Sequence, residues 1–281
     1  MPILPIETPD VTVVVATRNR RDRLMETLPR HAAPVILVDN GSADGGPDAV
    51  AAALPHISVV RLGENLGAAA RNVGVELART PYVAFADDDS YWAPGSLGQA
   101  AKLMRVHDRV GLLAAQVLVG QQARLDPVSA AMAAAPLGIP EHGPGPSVLG
   151  FLACAAVVRR EAFLAVGGFE PTLNVYGEEA LLAMDLAAAG WRLSYVPALT
   201  VRHLPLPAGR DNGARRRIEA RNRVLTALLR RPPRVVARAA AVAWRSDPAG
   251  VADAARLLPW ALRHRRRLPF TVESALSVLD A

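Results

Sequence analysis

The stretch Tyr82–Trp92 reads YVAFADDDSYW, and the fold turns on how it is read. An apolar run containing the strand-forming residues Tyr82, Val83 and Phe85 stops abruptly at three consecutive aspartates, Asp87, Asp88 and Asp89. Such a run predicts a buried strand that delivers carboxylates to its carboxyl end, where open α/β sheets place their ligands. Alternate side chains of an extended chain share a face, so the pattern predicts that Asp87 and Asp89 converge while Asp88 points elsewhere. Two converging carboxylates repel unless a cation lies between them, and their oxygens suit magnesium or manganese. In isolation, a solvated acidic turn capping the next helix would read the same way. The order of the surrounding elements favours the ligand-binding reading.

Upstream, DVTVVVAT (Asp10–Thr17) predicts a first strand, stopped by the polar residues Arg18 to Arg20. Leu24, Met25 and Leu28 fall at helical spacing before Pro34, and Val35 to Val38 resume a strand that ends in Asp39, a second acidic strand end. A short helix over Asp48–Leu54 and a strand over Ile57–Leu62 follow, then the loop GENLG. In that loop Gly67 suits a positive φ or a close backbone approach, and the helix after it carries Arg71 and Asn72 in its first turns. Alternating strands and helices imply parallel strands and a Rossmann-like sheet. The first strand lacks a following GxGxxG and the chain lacks a Walker sequence, which removes the main support for a dinucleotide enzyme or a P-loop NTPase.

Downstream, the pattern predicts a helix over Pro94–His107, strands over Val110–Val119 and Phe151–Arg159, and a helix over Arg160–Val166. Residues 123–146, rich in Ala, Pro and Gly, read as a mobile or substrate-side loop. Glu178 and Glu179 open a helix packed through Leu181, Leu182, Met184 and Leu186, and WRLSYVPALTVRH is a last strand ending in His203. Glutamates at a helix start are most often capping aids. Beyond Pro205, Pro207 and Gly209, three basic amphipathic helices are predicted, the third over Val251–Arg263.

Composition bounds these readings. The 281 residues, 51% hydrophobic, suffice for one large domain or a domain with an appendage. No apolar run reaches the roughly 20 residues that span a bilayer, and MPILPIETPD lacks the marks of a signal peptide, so a cytoplasmic protein is expected. The single Cys154 lies in an apolar run and reads as a buried structural thiol. The formal net charge of +6 is concentrated in the tail, in RDNGARRRIEARNR, LLRRPPR and LRHRRR. That basic tail suits an anionic partner, with peripheral contact at the inner face of a membrane as one reading and a solvated basic face as the other. Aromatic content of 5% offers few stacking platforms, so no nucleic-acid partner is expected.

Taken together, VTVVVATRNR, VDNGSADG, NLGAAARNVG, FADDDSYWAPGSL, RREAFLAVGGFEP and YGEEALLAMDLAAAGWRLSYVP resemble, in order and spacing, the family 2 nucleotide-sugar glycosyltransferases of the GT-A fold. The resemblance spans about Val11 to His203 and is nearest the bacterial enzymes of surface-polysaccharide type. It implies a mixed, mostly parallel α/β sheet flanked by helices. Residues 10–204 would form the catalytic domain, with a nucleotide-sugar half to about 120 and an acceptor half after it, and 205–281 a helical extension. It further implies that Thr17 and Asp39 hold the nucleotide base and that Arg71 lies near the base or pyrophosphate. The DxD motif maps to Asp87 and Asp89, the former near the ribose or a metal-bound water and the latter on a Mn2+ or Mg2+ ion. An alternative alignment uses Asp88. His203 matches a metal-ligating histidine of some relatives. The family's Glu-Asp motif is Glu178-Glu179 here, which places a glutamate, Glu179, where the catalytic base is expected. Arg221 and Asn222 match a downstream segment to which no chemistry beyond a contact with the donor phosphates is assigned.

These assignments imply an inverting, metal-dependent transfer from a UDP-, dTDP- or GDP-sugar to a hydroxyl of a glycan, glycolipid, lipid-linked or small-molecule acceptor. A carboxylate acting as base toward the acceptor predicts a single displacement without a glycosyl-enzyme intermediate. Two other readings compete. A nucleotidyltransferase would carry a glycine-rich basic loop after the first strand, and TRNRRDRL has no glycine. A non-catalytic scaffold recruited by its basic tail would have no need of carboxylates at Asp87, Asp89 and Glu179.

Overall fold

The computed structural model describes residues 10–205 and 212–280. The amino-terminal stretch and the Pro207–Gly209 connection considered above lie outside the described residues. In chain order the first half comprises β1 (Val11–Thr17), α1 (Arg21–Thr27), β2 (Val35–Asp39), α2 (Gly46–Ala53), β3 (Ser58–Arg61), α3 (Ala70–Leu77), β4 (Tyr82–Asp87), β5 (Ser90–Trp92), α4 (Ser96–Val106) and β6 (Val110–Val119). There follow β7 (Arg124–Leu125), α5 (Pro127–Ala133), β8 (Ala156–Arg159), α6 (Arg160–Val166), α7 (Glu178–Ala188) and β9 (Arg192–His203). The tail forms α8 (Asn212–Arg230), α9 (Pro233–Ser246), α10 (Pro248–Arg256), α11 (Leu258–Arg263) and α12 (Phe270–Leu279).

One sheet runs in the order β3-β2-β1-β4-β8-β6-β9-β5, with β7 paired to β6. The pairs from β3 to β4 are parallel, as the helical crossovers require. From β4 onward the sheet is mixed: β8 is antiparallel to both its neighbours, β6 and β9 are parallel, and β5 runs against β9. Alternation along β1 sorts the core into two layers. Val11, Val13 and Val15 pack with Leu24, Leu28, Val50 and Met104 on one face. Val14 faces the other way, toward Val75, Phe163, Leu182 and Leu186. On that second face α3 comes unusually close, because a Cβ at Gly74 would lie 2.4 Å from Val14 Cγ1. Phe85, Phe163 and Phe169 form a triangle with ring centroids 5.5–5.6 Å apart, tying β4 to α6 and the loop after it.

Three expectations change. Residues 123–146, expected as a mobile or substrate-side loop, contain β7 and α5. Asp126 caps α5 by accepting the Val128 N–H at 2.8 Å, and the buried Ser129 hydroxyl receives the Val117 N–H at 2.9 Å, so the segment is pinned to β6. The Phe151–Arg159 strand shortens to β8, preceded by a 3-10 turn over Ala153–Ala155. The third tail helix divides at Leu257, with Pro259 in the first turn of α11, and α12 is an additional helix.

The tail packs on α7 through two apolar clusters. One joins Leu173 and Leu181 to Ala220, Val224, Leu225 and Leu229, and the other joins Met184 to Val272 and Leu276. Cys154 is buried in the core, and that burial pushes its thiol up. Among the described residues, no helix is long and apolar enough to cross a membrane.

Candidate active site

The parallel register sets the first part of the site. Thr17 lies beside Asp39 and Ala16 beside Asp87, so the ends of β1, β2 and β4 form one carboxyl edge. Asp39 is buried and bonded to the Ser42 hydroxyl, and it also accepts the Ser42 N–H at 3.1 Å. Asn19 adopts φ 55° and accepts the Ala43 N–H at 2.8 Å, lacing the loop after β1 to the loop after β2. Asn40, in the turn after β2, is buried and holds the GENLG loop by accepting from the Leu66 N–H and donating to the Gly67 carbonyl. Gly67 has φ 60°, and a Cβ there would stand 2.6 Å from the Asn174 carbonyl oxygen. Both predicted reasons for glycine therefore apply at once. This contact brings the loop before α3 against the loop before α7.

The three aspartates take different partners, and Asp88 points away from the other two, toward β1. Strand alternation ends at Asp87, and Asp88 and Asp89 form the turn into β5. Asp87 is ion-paired with Arg71. Asp88 turns toward β1, where its Oδ2 accepts the Thr17 hydroxyl at 3.0 Å and its Oδ1 stands 3.9 Å from Arg20 Nε. Burial first, then the charges of Asp89 and Asp87, push the Asp88 carboxyl up to about 7. Asp89 Oδ1 lies 3.2 Å from His203 Nε2, because Ser90 and His203 are register partners across β5 and β9. The Asp89 hydrogen bond raises the His203 imidazole above its ordinary value.

This donor set decides how a divalent ion would sit. Among the described residues, no group of three or more His, Cys, Asp or Glu is arranged to hold a metal. Asp89 and His203 instead offer one oxygen and one nitrogen, with Asp87 at the end of β4 held by a guanidinium. Two protein ligands fit an ion that completes its shell with substrate phosphates and water. An imidazole in the set favours manganese over magnesium.

The second acidic cluster opens α7. Glu178 is buried, and its Oε2 has no hydrogen-bond partner among the described residues. Burial, with the adjacent Glu179 charge, pushes the Glu178 carboxyl up to about 8, and burial raises Glu179 as well. Glu179 lines two cavities, one of about 690 Å3 between α7, α8 and α9 and one of about 330 Å3 against α5. The loop before it is strained, with Asn174 at φ 64° and Tyr176 at φ 68°. Asn222 sits beneath that loop, its Nδ2 within 2.8–2.9 Å of the carbonyls of Leu173, Val175 and Tyr176. Arg221 reaches the Leu173 carbonyl at 2.9 Å. Arg221 and Asn222, matched from sequence to a downstream segment, thus support the loop that leads into Glu178 and Glu179.

A mixed sheet with a polar carboxyl edge, an acidic turn on the next strand and a second acidic helix start defines a GT-A glycosyltransferase architecture. The comparisons agree. Residues 12–167 match Glycosyl transferase family 2, and the chain belongs to that family. The matched region ends before Glu178, Glu179 and His203. The chain is 34% identical over 208 residues to a pre-mycofactocin glycosyltransferase of Mycobacterium tuberculosis, covering 69% of this chain and 42% of that protein. It is 28% identical over 206 residues to that organism's N-acetylglucosaminyl-diphospho-decaprenol L-rhamnosyltransferase, covering 60% and 66%. The chain thus spans less than two thirds of the length of either relative. Among solved structures it is similar to a mannosyltransferase of Pyrobaculum calidifontis in complex with GDP-Man and Mn2+, with TM-score 0.60 and 23% identity over 99% of this chain and 76% of that one.

Proposed function

We propose that this chain is an inverting glycosyltransferase that moves a sugar from a nucleoside diphosphate to an acceptor hydroxyl, with Glu179 as general base. The observation that carries the reading is the position of Glu179, which lines both cavities at the start of α7 while the aspartate turn closes β4. Thr17, Asp39 and Asp88 would bind the nucleoside, and Arg71, held by Asp87, would face the diphosphate. Asp89 and His203 would hold a Mn2+ or Mg2+ ion, which when bound would offset charge on the departing diphosphate.

In the proposed step the acceptor oxygen bonds to the anomeric carbon from the face opposite the diphosphate. The bond from that carbon to the phosphate oxygen breaks, and its electron pair leaves with the nucleotide. Glu179 takes the hydroxyl proton, a role that its raised basicity favours. One displacement inverts the anomeric configuration, and no protein atom joins the sugar. The family membership and the names of the mycobacterial relatives support the class of reaction.

The test is calorimetric titration of the chain with UDP, dTDP and GDP, each with manganese and with chelator, repeated on Asp89→Ala. The expected result is metal-dependent binding of one nucleotide that weakens about 10- to 100-fold in the variant. Failure of all three to bind, or equal binding in Asp89→Ala, would overturn the donor assignment.

A further inference from the structure

Behind Glu179 the larger cavity forms a groove whose direction is fixed at its two ends. At one end Asn222 holds the Tyr176 carbonyl. At the other Arg231 binds Asp280, and Met184 packs on Val272 and Leu276 of α12. The α8 wall between Asn222 and Arg231 is about 13 Å long at the rise of a helix.

The charges along this groove balance in number but are paired unevenly, with Arg215, Arg223, Arg231 and Arg238 against Glu179, Glu219, Glu273 and Asp280. Arg215 is paired with Glu219, and Arg231 with Glu273 and Asp280. Arg223 has no ion pair among the described residues, and Arg238 reaches only the Asp280 carbonyl at 2.9 Å. Two guanidiniums on neighbouring helices therefore line the groove without a carboxylate of their own. The planar guanidinium fork matches phosphate oxygens two at a time. On α9, Val235, Ala239 and Val242 recur at the spacing of one helix face, and all three line the groove, Val242 being 40% exposed. The smaller cavity differs, because Glu179 is its only charged lining residue.

From this combination we infer that the larger groove receives the acceptor, and that the acceptor is an anionic amphiphile. Its hydroxyl-bearing head lies at Glu179, its phosphate or diphosphate meets Arg223 and Arg238, and its apolar portion runs along Val235, Ala239 and Val242. The inference rests on the transferase reading above for the role of Glu179. The groove's ligand class rests on the arginines and the apolar face.

The test measures calorimetric binding of farnesyl diphosphate, farnesyl phosphate, farnesol and inorganic pyrophosphate to the full chain. Chelator is present throughout, so that metal cannot hold a diphosphate at the aspartate turn. The farnesyl phosphates should bind at least about tenfold tighter than farnesol or pyrophosphate, and the tighter of the two names the anion. The double variant Arg223→Gln/Arg238→Gln should weaken that binding about 100-fold, and Val242→Asp about tenfold, with unchanged melting and nucleotide affinity. Undiminished binding by the double variant, or pyrophosphate binding as tightly as farnesyl diphosphate, would overturn the inference. A chain that binds nucleotide but no farnesyl phosphate would sink the groove and keep the donor reading. One that binds farnesyl phosphates through these arginines but no nucleotide would do the reverse.

Discussion

Two acidic clusters face the site, and their surroundings differ. At the aspartate turn each carboxylate has a partner within the fold: Asp87 has Arg71, Asp88 has Thr17 and Arg20, and Asp89 has His203. At the start of α7, neither Glu178 nor Glu179 makes an ion pair among the described residues, and burial raises both. The first arrangement fixes geometry, since a paired side chain is held in one orientation before any ligand arrives. The second conserves basicity, since an unpaired buried carboxylate binds a proton more readily than one in water. A donor site needs the former and a general base the latter.

The sharpest way to break this comparison is to exchange the two glutamates for their amides one at a time. Glu179→Gln should lower turnover by about 1,000-fold while leaving nucleotide affinity unchanged, in keeping with the usual worth of a general base. Glu178→Gln should leave turnover within about tenfold, because Glu178 is buried and lines neither cavity. Comparable losses in both variants, measured as single-turnover transfer, would show that the pair acts as a unit and that position along α7 does not separate their roles.

A smaller effect is expected where the comparison depends on the backbone. Asn222 supports three carbonyls of a loop with two residues at positive φ, and that loop sets the direction of the first turn of α7. Asn222→Ala should lower kcat by about tenfold with nucleotide Kd unchanged, and should lower stability by about 2 kcal/mol through the unsatisfied carbonyls. A loss of stability alone, with kcat intact, would reduce Asn222 to a structural residue.

The contrast also explains how far the sequence could be read. The strands from β1 to β4 were legible because each is a short apolar run with one face set by alternation, and the acidic ends of β2 and β4 marked the edge. What stayed hidden was the partner that each of Asp87, Asp88 and Asp89 takes. Alternation applies only while the chain stays extended, and β4 ends at Asp87. The antiparallel insertion of β8 between β4 and β6 was equally hidden, since pairing across the sheet is a long-range choice. Arg20 and Asn40 were missed as parts of the site, and the support that Asn222 gives the loop before α7 was hidden, for a common reason. Each acts on a group at least 26 positions away in sequence, or, for Arg20, on Asp88 across the sheet edge. The helix start at Glu178 was legible as a capping pattern, but the absence of a hydrogen-bond partner for its Oε2 among the described residues is a property of packing.

That absence predicts a pH dependence with a definite sign. The Glu178 carboxyl titrates near 4.5 when exposed and at about 8 in the fold, so the folded state holds a proton that the unfolded chain releases. Stability from this group is present below about pH 4.5 and is lost progressively as pH rises toward 8. Glu178→Gln removes the ionisable group at nearly constant shape. The variant should match the parent at pH 4.5 and exceed it at pH 7 by about 2 kcal/mol, roughly 4 °C in Tm, with Glu179 sharing part of the proton uptake. Thermal melts at half-unit steps of pH would trace the difference. A gap of constant size across that range would assign it to packing and not to a buried charge. A variant less stable than its parent at pH 7, with the deficit fading toward low pH, would mean that a cationic partner holds Glu178 ionised in the fold, and the distinction between the two acidic clusters would fall.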